Sequence, residues 1–143
     1  MNPKSIYNKS NLKYKPGTIT TGNTKIFNTS EADIQKSLFE HIKYYENKYP
    51  ELKLLHHIPN GGTRNILEAV SLKAQGVKSG VPDLFLPVAR KGYNGFFIEM
   101  KSKEGKLSDN QQKWLADLYR NNYKIIISDS HKDVLDILIE YLK

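Results

Sequence analysis

From residue 30 onward the chain alternates between segments with a helical apolar stripe and short apolar runs closed by Gly, Pro or Asn. Ile34, Leu38, Ile42 and Tyr45 recur at helical spacing and predict a helix over 30–48. Ser30 suits its N-cap, with Asp33 three residues on, and Glu31 and Asp33 suit the positive end of the helix dipole. A short strand is expected over 54–58, stopped by Pro59 and the turn Asn60-Gly61-Gly62. A second helix is expected over 66–75, ending at Gly76. An apolar strand follows over 83–86, then a turn over 90–95 and a clear strand over 96–101. Ser108 caps a third helix whose Trp114, Leu115 and Leu118 make the buried stripe. A strand over 124–128 and a last helix capped by Ser130, with Asp133 at its third position, complete the chain.

The order helix, strand, helix, strand, strand, helix, strand, helix predicts an α/β domain with a mixed central sheet flanked by helices. A length of 143 residues fits one domain. Residues 1–29 are rich in Asn, Lys, Thr, Ser and Gly, show no sustained period and read as a largely irregular arm, pinned at most by Tyr14 or Phe27. The folded domain is expected over 30–143.

Charge changes this picture. The formal net charge is +7, and five lysines precede Glu31, the first acidic residue. A basic arm on a mildly basic body suits a polyanion partner, because each lysine near a phosphate releases condensed counterions. A solubilising tail has the same composition, so charge alone leaves both readings open. The absence of cysteine excludes disulfides and thiolate zinc sites. No apolar run approaches the roughly 18–20 residues of a membrane span, and no secretory leader is visible. A cytoplasmic location with no membrane partner is the expectation.

Glu99 and Lys101 stand two apart in a strand, so their side chains share a face. Their apolar neighbours Phe97, Ile98 and Met100 mark this strand as central. Alone, the pair reads as a structural salt bridge. Asp83 shifts that reading: it follows Gly80-Val81-Pro82, opens a strand that can pair with the Glu99 strand, and can project beside Glu99. Two carboxylates with an open hydrated shell suit Mg²⁺ or Mn²⁺. The alternative for Asp83 is a turn aspartate bonded to local backbone.

Pro82-Asp83 followed by Glu99-Met100-Lys101 resembles the PD-(D/E)xK nuclease signature. The ordered motifs around it are Asn60-Gly61-Gly62-x-Arg64, Gly76-Val77, Gly80-Val81-Pro82-Asp83 and Gln111-x-x-Trp114. Together they resemble the VRR-NUC (virus-type replication–repair nuclease) family in its stand-alone form, over about residues 30–129. The resemblance implies a restriction-endonuclease-like core and a metal-dependent phosphodiesterase acting on DNA, often branched DNA such as Holliday junctions. It implies Asp83, Glu99 and the Met100 carbonyl as metal ligands, with Glu31 completing the set. Lys101 would position the attacking water and stabilise charge on phosphorus. Gln35 fits the family's accompanying glutamine, one turn beyond Glu31.

Alternatives stand beside these roles. Glu40 and Glu68 rival Glu31, which also suits a helix dipole. Gln111 fits either the site or a capping box with Ser108. Trp114 reads as core rather than a stacking platform, and His56 and His57 as structural or phosphate-proximal. Asn60, Gly61, Gly62 and Arg64 form a plausible phosphate-contacting loop, with Lys103 as a further DNA contact. One active site per chain must cut two strands to resolve a junction, so a homodimer is expected. The rival functions are a non-catalytic DNA-binding module of the same fold and a nucleotide-binding enzyme. The latter is disfavoured because the glycine loop lacks a Gly-Lys-Ser/Thr ending.

Overall fold

A computed structural model describes residues 29–60 and 65–143. Ser30 caps α1 (Glu31–Ile42) through a hydrogen bond from the Asp33 N–H, and Ile34, Leu38 and Ile42 form its buried stripe. The helix stops at Ile42, short of the expected residue 48. Tyr45, the next stripe position, is not part of the buried core. The chain tightens there instead: the Tyr45 N–H donates to the Ile42 carbonyl three residues back. A 3₁₀ turn, Pro50–Leu54, was not anticipated; Pro50 opens it and Leu52 is its buried residue. It takes Leu54 out of the expected strand and leaves β1 as His56–His57 alone.

Asn65 caps α2 (Ile66–Ala74), accepting from the Glu68 N–H, and no residue of this helix is buried. Then come β2 (Leu84–Leu86), β3 (Phe96–Met100), α3 (Asp109–Arg120), β4 (Lys124–Ser128) and α4 (His131–Leu142). The strands form one sheet in the order β1-β2-β3-β4. β1–β2 and β2–β3 pair antiparallel, whereas β3–β4 pair parallel, with α3 as the crossover between them. Every residue of β3 is buried, as its continuous apolar run and central place require. The sheet is therefore mixed and carries helices, the α/β architecture expected from the element order.

Alternation along the strands divides the sheet into two faces. Leu84, Leu86, Phe96, Ile98, Met100 and Ile126 belong to one core with Ile34, Leu38 and Ile42 of α1 and Val134, Leu138 and Tyr141 of α4. The Tyr141 hydroxyl donates to the Val88 carbonyl at 2.6 Å and accepts from the Arg90 N–H, fixing α4 to the connection between β2 and β3. On the other face Phe85 and Phe97 stack at 4.3 Å, with Tyr123 edge-on to both. α3, burying Leu115, Ala116 and Leu118, covers that side. Glu99 points to the α3 side, away from the aliphatic core. Among the described residues no helix is long and apolar enough to cross a membrane.

Candidate active site

The register of the β2–β3 pair places the site. Leu84 lies opposite Ile98, so one step further along the ladder Asp83 stands across from Glu99. The Asp83 Oδ2 accepts the Met100 N–H at 2.8 Å, and its carbonyl accepts the Ile58 N–H at 2.7 Å. The His57 ring also donates from Nδ1 to that carbonyl, at 2.9 Å. Asp83 is thus held from both neighbouring strands. This is more than a turn aspartate bonding its own loop, because the bonds cross the sheet.

Glu99 has no solvent exposure. Its Oε1 accepts from Lys101 Nζ at 2.9 Å and from Gln111 Nε2. Its Oε2 is buried and has no hydrogen-bond partner among the described residues. An orphaned carboxylate oxygen in a protein interior is costly, since burial strips its hydration without replacement. Lys101 follows the last residue of β3, and its N–H still donates to the Ser128 carbonyl. Its ammonium also lies 4.0 Å from Glu31 Oε1, which accepts the Ser102 N–H at 3.1 Å. Glu31 therefore reaches the site from the start of α1, whereas its rivals Glu40 and Glu68 are exposed on their helices. Gly105 gives Glu31 room: a Cβ there would lie 3.1 Å from Glu31 Oε1.

Gln111 does two things at once. It closes a reciprocal capping box with Ser108 through its N–H and its Oε1, and its amide nitrogen goes to Glu99. Sequence reasoning offered these as alternatives; one side chain satisfies both because the amide carries an acceptor and a donor at separate atoms.

Three carboxylates face one ammonium here. Burial pushes the Glu99 carboxyl up to about 7; the Lys101 contact opposes this, and the nearby negative charges of Asp83 and Glu31 add to it. Burial likewise raises Asp83, against the Met100 N–H and the Lys101 charge. Such a site has an excess of negative charge that a cation relieves. Among the described residues no three His, Asp or Glu side chains are gathered into a ready metal cage. The donors present are two adjacent carboxylates, a free buried oxygen and the strand-end backbone, with Glu31 turned to Lys101. That set suits a hard, partly hydrated divalent ion such as Mg²⁺, which takes one or two carboxylates and keeps several waters.

The remaining expected contacts are scattered. Gln35 lies half-buried one turn beyond Glu31, and Lys103 is exposed in the turn after β3. The Asn60 side chain donates to the Val81 carbonyl at 3.0 Å, tying β1 to the approach to Asp83. Gly61, Gly62 and Arg64, like residues 1–28 of the arm expected over 1–29, lie outside the described residues. His56 donates to the Leu54 carbonyl and stays clear of the carboxylates. Trp114 is half-buried and lines a cleft, so it is only partly the core residue expected. Sequence reasoning missed the grip of His57 on Asp83, because that contact depends on strand register, which no local pattern reports.

A mixed sheet that gathers paired carboxylates and a lysine at one strand end is the frame of a nuclease-type, DNA-processing domain. The VRR-NUC domain model matches residues 25–132, and the chain belongs to that family. A solved structure described as a VRR_NUC domain protein shares the fold, with 22% identity and a TM-score of 0.65. The match covers 80% of this chain and 89% of that one. Comparison with curated proteins gives no match.

Proposed function

We propose that this chain is a divalent-metal-dependent nuclease that hydrolyses phosphodiester bonds in branched or structured DNA, Holliday junctions among them. One observation carries the reading: Glu99 is buried beside Asp83 with Oε1 held by Lys101 and Gln111 and Oε2 without a partner. Asp83, Glu99 and the Met100 carbonyl would hold Mg²⁺ or Mn²⁺, with Glu31 completing the set, and the bound ion supplies acidity to a water and charge neutralisation to the phosphate.

The chain's own residues do the rest. Gln111 and Lys101 fix the Glu99 carboxylate from one side, leaving its other oxygen presented. The Met100 N–H sets the Asp83 rotamer. Lys101, held between Glu99 and Glu31, orients the attacking water and offsets charge as it develops on phosphorus. Lys103, Asn60, the Gly61-Gly62-Arg64 segment and the basic arm contribute phosphate contacts that are independent of sequence. In this reading the nuclease domain spans 30–143, and two copies act together so that both strands of a junction are cut.

The test is a panel of labelled junction, flap, nicked and blunt DNAs incubated with Mg²⁺, Mn²⁺ or EDTA. Cleavage in the metal lanes only is the expected result. Binding without cleavage under every condition would make the protein a DNA-binding module and end the nuclease reading. Sedimentation of the protein and of its junction complex tests the dimer; a monomer in both would remove it.

A further inference from the structure

Beside the catalytic centre, α2 and α3 face each other across a cleft of about 590 Å³. On α3 the residues Asn110, Lys113, Trp114 and Asp117 recur at helical spacing and turn one face into it. From α2 and the segment after it come Leu72, Lys73, Val77, Lys78 and Ser79. The walls are apolar at Leu72, Val77 and Trp114, and cationic at Lys73, Lys78 and Lys113. None of these three lysines is in an ion pair among the described residues. The one acid of the lining, Asp117, is taken by Arg120.

The cleft is continuous with the site. Asn110 precedes Gln111, which holds Glu99, and its amide donates to Ser79 Oγ at 2.9 Å. Gly80 makes that approach possible: a Cβ there would lie 2.6 Å from the Asn110 carbonyl carbon. Asn60, also in the lining, is bonded to Val81, two residues before Asp83.

We infer that this cleft takes an unpaired DNA strand leading away from the catalytic centre, its phosphates on Lys73, Lys78 and Lys113 and a base stacked on Trp114. The inference rests on the nuclease reading and deepens it, by assigning single-stranded arms of the substrate a place of their own. An indole beside a row of ammonium groups is the combination that single-strand binders use, a stacking platform in a cationic groove. A duplex keeps its base faces stacked inside and offers none to Trp114.

The chain's single tryptophan makes the test direct. Protein in EDTA is titrated with a short labelled oligodeoxythymidylate and with a blunt duplex, following Trp114 emission and DNA anisotropy together. The oligonucleotide should quench the indole, and the duplex should leave it unchanged. Trp114→Ala should weaken oligonucleotide binding about tenfold, with Trp114→Phe retaining most of it. Lys73→Gln and Lys113→Gln, at exposed positions, should each lower the salt-dependence slope by about one. Oligonucleotide binding with unchanged emission, equal quenching by the duplex, or wild-type binding in both lysine variants would overturn the inference. DNA cleavage by a protein whose indole never responds removes the cleft and keeps the nuclease. A responding indole on a protein that cuts nothing with any divalent ion does the reverse.

Discussion

Asp83 accepts the Met100 backbone N–H through its side chain, across the β2–β3 pair, one residue from Glu99. The bond ties a catalytic candidate to the strand that carries its partner. Asp83→Ala should therefore fail twice. Cleavage should fall to background, and the stranded Met100 N–H should cost about 1–3 kcal/mol of stability. Gel assays and thermal denaturation check the two effects separately, and DNA binding should survive.

Glu99 links the site to pH. Its folded pKa, about 7, lies above the ordinary 4.5, so its contribution to stability is complete below that ordinary value and is lost as pH rises through about 7. Metal-free protein should accordingly lose stability relative to Glu99→Gln between about pH 5 and about pH 8. A divalent ion should reverse this, with a larger Mg²⁺-induced rise in Tm above pH 7 than below it. Thermal scans across pH, with and without Mg²⁺, carry the check; equal pH dependence in wild type and Glu99→Gln would refute it.

Lys101 serves both Glu99 and Glu31. Lys101→Ala should lower the cleavage rate by roughly 100–1000-fold, the range for removing one preorganised charge donor. Mn²⁺ binding followed by calorimetry should persist, since the carboxylates remain.

Gln111 allows its two roles to be separated. Gln111→Ala loses the capping box, at about 0.3–1.5 kcal/mol, and leaves Glu99 Oε1 to Lys101 alone. Gln111→Glu keeps a Ser-x-x-Glu capping box but sets a like charge against Glu99. Melting temperature should fall further in Gln111→Glu than in Gln111→Ala above about pH 7, because the carboxylate contact at buried Glu99 outweighs the retained cap, while cleavage falls in both.

Gly80→Ala tests the seam between the Asp83 approach and α3. Gly80 has φ +88°, and its Cβ would meet Asn110 backbone at 2.6 Å. A loss of about 1–3 kcal/mol is expected from overpacking, together with slower cleavage as α3 is pushed from Glu99.

Much of the fold was legible because its elements carry strong local signals. Ser30, Ser108 and Ser130 each cap the helix that their sequence context announces. The all-apolar run around Glu99 marked a central strand, which β3 is. The errors fell where tertiary packing decides. Tyr45 continues a helical period in sequence, but the buried stripe of α1 ends at Ile42. Leu54 looks like a strand residue until Pro50 opens a 3₁₀ turn before it. The convergence of Asp83, Glu99 and Lys101 could be read from strand parity and one hairpin. Glu31 needed the family resemblance, since 71 residues separate it from the Ser102 N–H that it accepts. The α2–α3 cleft was invisible, because it depends on how two helices that share no sequence pattern come to face each other.

The hairpin turn at Lys91 and Gly92, at the far end of β2 and β3, has a practical use. Both residues adopt positive φ, at 50° and 83°, as a tight two-residue connection requires, and a Cβ on Gly92 would meet nothing within 4 Å. The strands run from there to Asp83 and Glu99, so whatever is attached at this tip stays a strand's length from the chemistry. It is the natural place for an affinity tag, a surface tether or a tension handle, well away from the carboxylate cluster.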